Sequence, residues 1–185
     1  MSDRPELIGG IEKRDIRIVE YDPSWPHRFL QERSRISDAL GATARRIDHI
    51  GSTSVPGLSA KPIIDIDLSV ADVEDEAAYL DALLTAGYQL RVREPGHRMV
   101  RTPRRDVHVH ICSLGSPWER RHLLFRDWLR HDTPDRIAYE ELKHRLAQRD
   151  WPDMNVYADA KGPLIAEITQ RAQTWAQASG WAPEN

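Results

Sequence analysis

The chain has 185 residues, of which 26 are basic and 29 acidic, for a formal net charge of −3. That length supports one domain with a core that needs no staple, and the balanced charge argues against a protein built to coat nucleic acid or an acidic membrane. A single cysteine, Cys112, excludes an internal disulfide and fits a reducing compartment.

Residues 1–15 read as a polar tail that frays, with no apolar h-region of a signal peptide. No apolar run approaches the ~18 residues of a membrane span. A cytoplasmic protein is therefore expected, with neither membrane nor nucleic acid as a partner. Residues 16–178 form one domain, and 179–185 a C-terminal tail. Residues 16–21 read as a strand, and the turn Asp22-Pro23-Ser24 leads into a helix that Ser24 caps. Trp25, Phe29, Ile36 and Leu40 recur at helical spacing, and Gly41 ends that helix. A strand over 46–50 delivers a Gly51-Ser52 turn. Residues 63–70 are a central strand, apolar except for Asp65 and Asp67. Asp72 caps a helix with Val73, Ala77, Leu80 and Leu84 as its stripe. Residues 88–92 and 98–102 form a hairpin about Glu94-Pro95-Gly96, and 107–112 alternate as a strand. The last third is helical. One helix runs over 117–131. A second is capped by Thr133, with Ala138, Leu142 and Leu146 facing inward. A third begins at Pro163, with Leu164, Ile168, Ala172 and Trp175 in register. The pattern predicts an α+β fold, a mixed sheet with packed helices and a helical C-terminal layer.

Several residue groups in this frame carry chemistry. On a strand, Asp65 and Asp67 share one face while Ile64, Ile66 and Leu68 take the other. Two such carboxylates stand roughly 6.5–7 Å apart, a gap suited to a hard cation. The Gly51-Ser52-Thr53 turn before them suits phosphate, through backbone N–H and hydroxyl groups. Asp106, His108 and His110 alternate onto one face of the next strand. If that strand neighbours 63–70, His110 completes a metal site with Asp65 and Asp67. The other roles open to His108 and His110 are general base and phosphate donor. Mg2+ or Mn2+ is the expected cation, and because imidazole suits Zn, Mn or Fe better than Mg the histidines leave its identity open. Lys61, Arg98 and Lys161, the last following Tyr157, make a cradle for a triphosphate. Arg126 and Arg130 follow His122 on one helix face, and their guanidinium forks match phosphate oxygens. Cys112 reads as a buried, inert thiol. No P-loop and no Gly-x-Ser-x-Gly elbow occurs.

At these residues the sequence resembles the GrpB family. The likeness rests on Tyr21-Asp22-Pro23-Ser24-Trp25-Pro26, on His49-Ile50-Gly51-Ser52-Thr53-Ser54-Val55-Pro56-Gly57-Leu58, and on Lys61-Pro62-Ile63-Ile64-Asp65. It continues through His108-Val109-His110, Leu124-Phe125-Arg126-Asp127-Trp128-Leu129-Arg130, Tyr139 with Leu142-Lys143, and Tyr157 with Lys161. The resemblance spans roughly residues 16–178 and implies a nucleotidyltransferase fold of the polymerase-β type. Gly51 and Ser52 would then touch the triphosphate, and Asp65 and Asp67 would hold divalent metal, usually Mg. The superfamily's third carboxylate falls on the strand where this chain has His108 and His110. Three readings follow. The first is a metal-dependent nucleotidyltransferase that takes a nucleoside triphosphate and an unknown small-molecule or protein acceptor. The second is a non-catalytic nucleotide-binding or folding-accessory module, because relatives occur fused to dephospho-coenzyme A kinase. The third is a transition-metal hydrolase that uses His108, His110 and the aspartates.

Overall fold

A computed structural model describes residues 5–13 and 15–183. The rest of the predicted 1–15 tail, and the last two residues of the predicted 179–185 tail, lie outside the described residues.

Among those residues six strands form one sheet. They are β1 (Glu6–Leu7), β2 (Arg46–Ile50), β3 (Ile64–Val70), β4 (Gln89–Glu94), β5 (His97–Arg101) and β6 (Val107–Ser113), in the order β1-β4-β5-β6-β3-β2. Only β3 and β6 run parallel; every other neighbouring pair is antiparallel. Six helices accompany the sheet: α1 (Trp25–Leu40), α2 (Leu80–Thr85), α3 (Pro117–His131), α4 (Thr133–Ala147), α5 (Met154–Asp159) and α6 (Gly162–Ser179). No helix among the described residues is long and apolar enough to cross a membrane.

Strand alternation divides the molecule into layers. Ile64, Ile66, Leu68 and Val70 of β3 and Val107, Val109 and Ile111 of β6 bury against Trp25, Ile36 and Leu40 of α1 and Leu83 of α2. A second apolar cluster lies in the C-terminal helices. There Leu124, Trp128 and Leu129 of α3 meet Tyr139 of α4, Ile168 and Ala172 of α6, and Val55 and Leu58 of the loop after β2. The other sheet face, which carries Asp65, Asp67, His108 and His110, is sandwiched between the two clusters. Asp135 ties the helical layer together: it accepts from Trp128 Nε1 at 2.7 Å and pairs with Arg171 at 2.8 Å.

Local expectations differ from the structure in places, each for an identifiable reason. Residues 16–21 make one isolated bridge, Val19 with Ala60, so the expected strand is absent. Ser24 makes no side-chain cap; Asp22 instead accepts from the Ser24 N–H at 2.8 Å. Asp72 accepts from Glu74 N–H at 2.9 Å, which forms a local turn, and the regular helix is delayed to Leu80. Leu83 is buried there while Leu84 is exposed. Asp132, not Thr133, caps α4 through the Asp135 N–H at 2.8 Å. The buried face of α4 is Tyr139, Lys143 and Leu146. Helix α5 was not anticipated. Nor is the described part of the tail frayed: β1 pairs with β4, Arg91 holds the Ile8 and Gly10 carbonyls, and Arg101 chelates Glu12 at 2.7 and 2.9 Å.

Arg98, expected in the triphosphate cradle, is on the wrong face for it. It stands opposite Ile111 and in phase with Val100, both of which are in the apolar core. Its guanidinium is spent on Glu74 at 2.7 Å, on Glu76, and on the carbonyls of Glu94 and His97 at 2.7 and 3.1 Å. Arg98→Met is expected to lower unfolding free energy in urea by about 2 kcal/mol, below the usual cost of breaking a buried ion pair because half-exposed Glu74 can rehydrate.

Candidate functional site

The register of β3 and β6 sets the geometry. Asp65 is paired with His108 and Asp67 with His110, all on the face turned away from the α1 side. His108 Nδ1 lies 3.4 Å and His110 Nε2 3.7 Å from Asp65 Oδ1. One donor atom from each of the three falls within 4.8 Å of the others, a spacing at which they can hold a metal ion. One carboxylate and two imidazoles suit Mn, Fe or Zn better than Mg, which favours oxygen ligands. Burial alone would raise the Asp65 carboxyl, but His108 and His110 outweigh it and hold it well below the usual carboxylate range. Burial likewise opposes a charge on His110, and Asp65 overrides it upward.

Asp67, expected to share the cation, is fully buried and lies outside this converging set. Its two oxygens each stand 3.0 Å from His122 Nδ1 of α3. It therefore braces the strand against α3.

The loop after β2 brings Gly51 up against Asp65. A Cβ on Gly51 would stand 2.7 Å from Asp65 Oδ2, and its φ of +68° is already in the left-handed region. Ser54 caps the turn by donating to the Gly51 carbonyl at 2.6 Å. Buried Thr53 donates to the Ile63 carbonyl at 3.2 Å and bonds His49 Nε2 at 2.9 Å. Its hydroxyl is thus committed to the loop, although Thr53 lines the cavity. Arg126 and Arg130, expected to reach phosphate, instead support this loop from behind. Arg130 donates to the Ser54 carbonyl at 2.8 and 3.0 Å, and Arg126 to the His49 carbonyl at 3.2 Å. Neither lines the cavity.

That cavity, about 450 Å³, opens between the polar sheet face and the helical layer. Of the residues singled out from the sequence, Gly51, Ser52, Lys61, Asp65, His108, His110, Tyr157 and Lys161 all line it. The Nζ atoms of Lys61 and Lys161 stand 5.2 and 5.1 Å from the centre of the Tyr157 ring, within cation–π range. Tyr157 is 1% exposed and its hydroxyl has no hydrogen-bond partner. The indole N–H of Trp118, across the cavity, has none either. Buried polar atoms are normally satisfied, so these two are departures from the rule in residues that border the cavity.

Sequence reasoning did not single out Trp118, Arg121, Phe125, Tyr139 or Lys143 as lining residues. Lys143 carries the clearest chemistry. It is buried, donates to the Ser59 carbonyl and lies 4.9 Å from the Tyr139 ring centre. Burial, with repulsion from Lys161 and Lys61, brings its pKa down to about 7 despite nearby Glu140. A signal existed: Asp135, Tyr139 and Lys143 recur at helical spacing with Leu146 on the buried face of α4, so Lys143 is a buried charge on that helix. Cys112 is buried, and burial pushes its thiol up to about 12, in keeping with an inert role.

Residues 15–171 match the family model described as GrpB protein. The chain belongs to the GrpB family. A UPF0157 protein of Streptomyces coelicolor is 56% identical over 167 residues, covering 90% of this chain and 89% of that one. A dephospho-CoA kinase of Mycolicibacterium paratuberculosis is 31% identical over 202 residues, covering 94% of this chain and 50% of the kinase. Among solved structures, conserved protein GrpB from Enterococcus faecalis superposes with a TM-score of 0.75 at 32% identity, over 86% of this chain and 99% of that one. A chain of the GLD-2/RNP-8 complex reaches a TM-score of 0.50 at 16% identity, over 68% of this chain and 54% of that one, a likeness of fold alone. GrpB membership thus rests on most of the chain, and it includes the loop, both site strands and the helical layer.

Two outcomes follow from this geometry. Gly51→Ala combines a strained φ with a clash against the Asp65 carboxylate, and should lower unfolding free energy by about 1–3 kcal/mol in urea. Lys143 binds a proton more tightly when unfolded, so its charge penalty fades as pH rises from its folded pKa of about 7 toward its unfolded value of 10.5. Between pH 7 and 9 the wild type should therefore gain about 2 kcal/mol of stability relative to Lys143→Met, read from paired denaturation curves.

Proposed function

We propose that this GrpB protein is a metal-dependent nucleotidyltransferase that moves a nucleotidyl group from a nucleoside triphosphate to a hydroxyl of a small molecule or protein. One observation carries the reading: the glycine-serine loop, the Asp65-His108-His110 donor set and the Lys61-Tyr157-Lys161 cluster all face one cavity. The cation is Mn2+ or Mg2+, with the imidazoles favouring Mn2+. When bound, it supplies charge neutralisation at the reacting phosphorus.

The chain's own residues have distinct tasks. The Gly51-Ser52 backbone and the amines of Lys61 and Lys161 hold phosphate oxygens, with the Tyr157 ring between the two lysines. Trp118 and Phe125 offer aromatic surface to the nucleoside. The acceptor oxygen forms a bond to the α-phosphorus as the bond to pyrophosphate breaks. With His108 and His110 given to the cation, the acceptor proton passes to Lys143, whose lowered pKa suits a general base near neutrality. Action in the cytoplasm, without nucleic acid or membrane, completes the proposal.

The test is calorimetry with ATP, CTP, GTP and UTP in Mn2+ or Mg2+, followed by an assay of pyrophosphate release against a panel of acceptors. Asp65→Asn should cut turnover at least a hundredfold while the melting temperature stays within a few degrees, since removing a charge stabiliser of this kind typically costs roughly 100–1000-fold. Unchanged turnover in Asp65→Asn would overturn the assignment. Tight nucleotide binding with no product would favour an accessory module, the role suggested by likeness to half of a dephospho-CoA kinase. Release of free nucleotide to water would make the protein a hydrolase.

A further inference from the structure

Beyond the donor set, a partly buried chain of hydrogen bonds runs along the sheet into the site. His97 of β5 is 4% exposed, and its ring stacks on Trp118 with centroids 3.9 Å apart. Its Nδ1 lies 2.7 Å from Glu94 Oε1, and its Nε2 lies 3.1 Å from His110 Nδ1. Each link constrains the next. A carboxylate accepts, so His97 Nδ1 carries the hydrogen. In the tautomer that metal binding requires, with His110 Nε2 free of hydrogen, His110 Nδ1–H donates and His97 Nε2 accepts. His110 Nε2, on the far side of its ring, faces Asp65 Oδ1 at 3.7 Å, where a bound metal takes the place of the proton that Asp65 favours there. His108 Nδ1 faces the same oxygen at 3.4 Å. Protons on the imidazoles satisfy these contacts in the free protein, and the three donor atoms converge closely enough for a cation to replace them.

We infer that Glu94 and His97 are positioning residues that fix the tautomer and tilt of His110, so that its Nε2 joins Asp65 and His108 in holding a divalent transition-metal ion. The inference rests on the metal site of the proposed function and adds the device that orients it. The logic is that of metal-bound histidines generally, whose other ring nitrogen is held by a fixed partner. Here the partner is a second histidine, itself held by a carboxylate. Trp118 clamps the His97 ring and leaves it little freedom to turn. The arrangement also accounts for a buried histidine on a strand that contributes nothing to the apolar core.

The test uses Co2+ as probe, titrated into the full chain with its visible absorption as readout, and melting temperature as the control for folding. Wild type should bind one Co2+, and His110→Ala should lose the band. His97→Phe keeps a ring against Trp118 but breaks both hydrogen bonds, and should weaken Co2+ binding roughly 10–100-fold with an altered spectrum. His97→Gln can donate to Glu94 and accept from His110 through its amide, and should recover much of the affinity. Glu94→Gln leaves the ring in place and removes the fixed acceptor charge, so it should weaken binding several-fold even if His97→Phe does not fold. Wild-type affinity in both His97→Phe and Glu94→Gln would overturn the relay and leave the metal site standing. Failure of wild type to bind Co2+, Mn2+ or Zn2+ would overturn the metal site and the relay with it.

Discussion

The parallel pairing of β3 with β6 is the constraint on which the site depends. Side chains at matched positions of neighbouring strands stand side by side on one face, and this register sets Asp65 beside His108 and Asp67 beside His110. A slip of one residue would turn every one of these side chains into the apolar core and bring Ile64, Ile66, Val107 and Val109 out in their place. Burying those valines and isoleucines therefore fixes the position of the polar groups on the opposite face. Function and stability draw on the two faces of the same strands.

The helical layer supplies the other wall. Its own apolar cluster, built from α3, α4, α6 and the loop after β2, holds it together apart from the sheet core. The polar slab between the two clusters is costly to bury, and nearly every group in it is matched. Asp67 has His122, Ser69 donates to Glu119 at 2.8 Å, and Arg126 and Arg130 take up loop carbonyls. Against that background of satisfied groups, the Tyr157 hydroxyl and the Trp118 indole stand out as buried side-chain atoms without partners among the described residues. Both belong to residues that line the cavity.

Much of this was legible in the sequence. Alternation in 63–70 and 107–112 gave the strands, their buried faces and the shared face of the acidic and imidazole side chains. The glycine-serine turn and the family resemblance placed the loop. Three kinds of feature were not legible. Arg98 looked like a phosphate ligand because its charge was weighed without its phase; its period-two partner Val100 already assigned it to the core side. Arg126 and Arg130 share a helix face aimed at the site, but the loop carbonyls that claim them come from residues about 76 positions away. Asp67 could not be separated from Asp65 by strand spacing, because what separates them is His122 arriving from α3. Lys143 and His97 were missed for different reasons: Lys143 sits on a helix read for Ala138, Leu142 and Leu146, and His97 fell between the turn and a strand expected to start at Arg98 but starting at His97.

The central claim is that Asp65, His108 and His110, and not Asp65 with Asp67, hold the catalytic cation. Anomalous diffraction from crystals grown with Mn2+ and a non-hydrolysable nucleoside triphosphate tests it most directly. The expected result is a single Mn2+ peak bonded to Asp65, His108 and His110, with phosphate oxygens reaching it from the side of Lys61 and Lys161. A peak bonded to Asp67, or nucleotide bound with no Mn2+ on the two histidines, would contradict it.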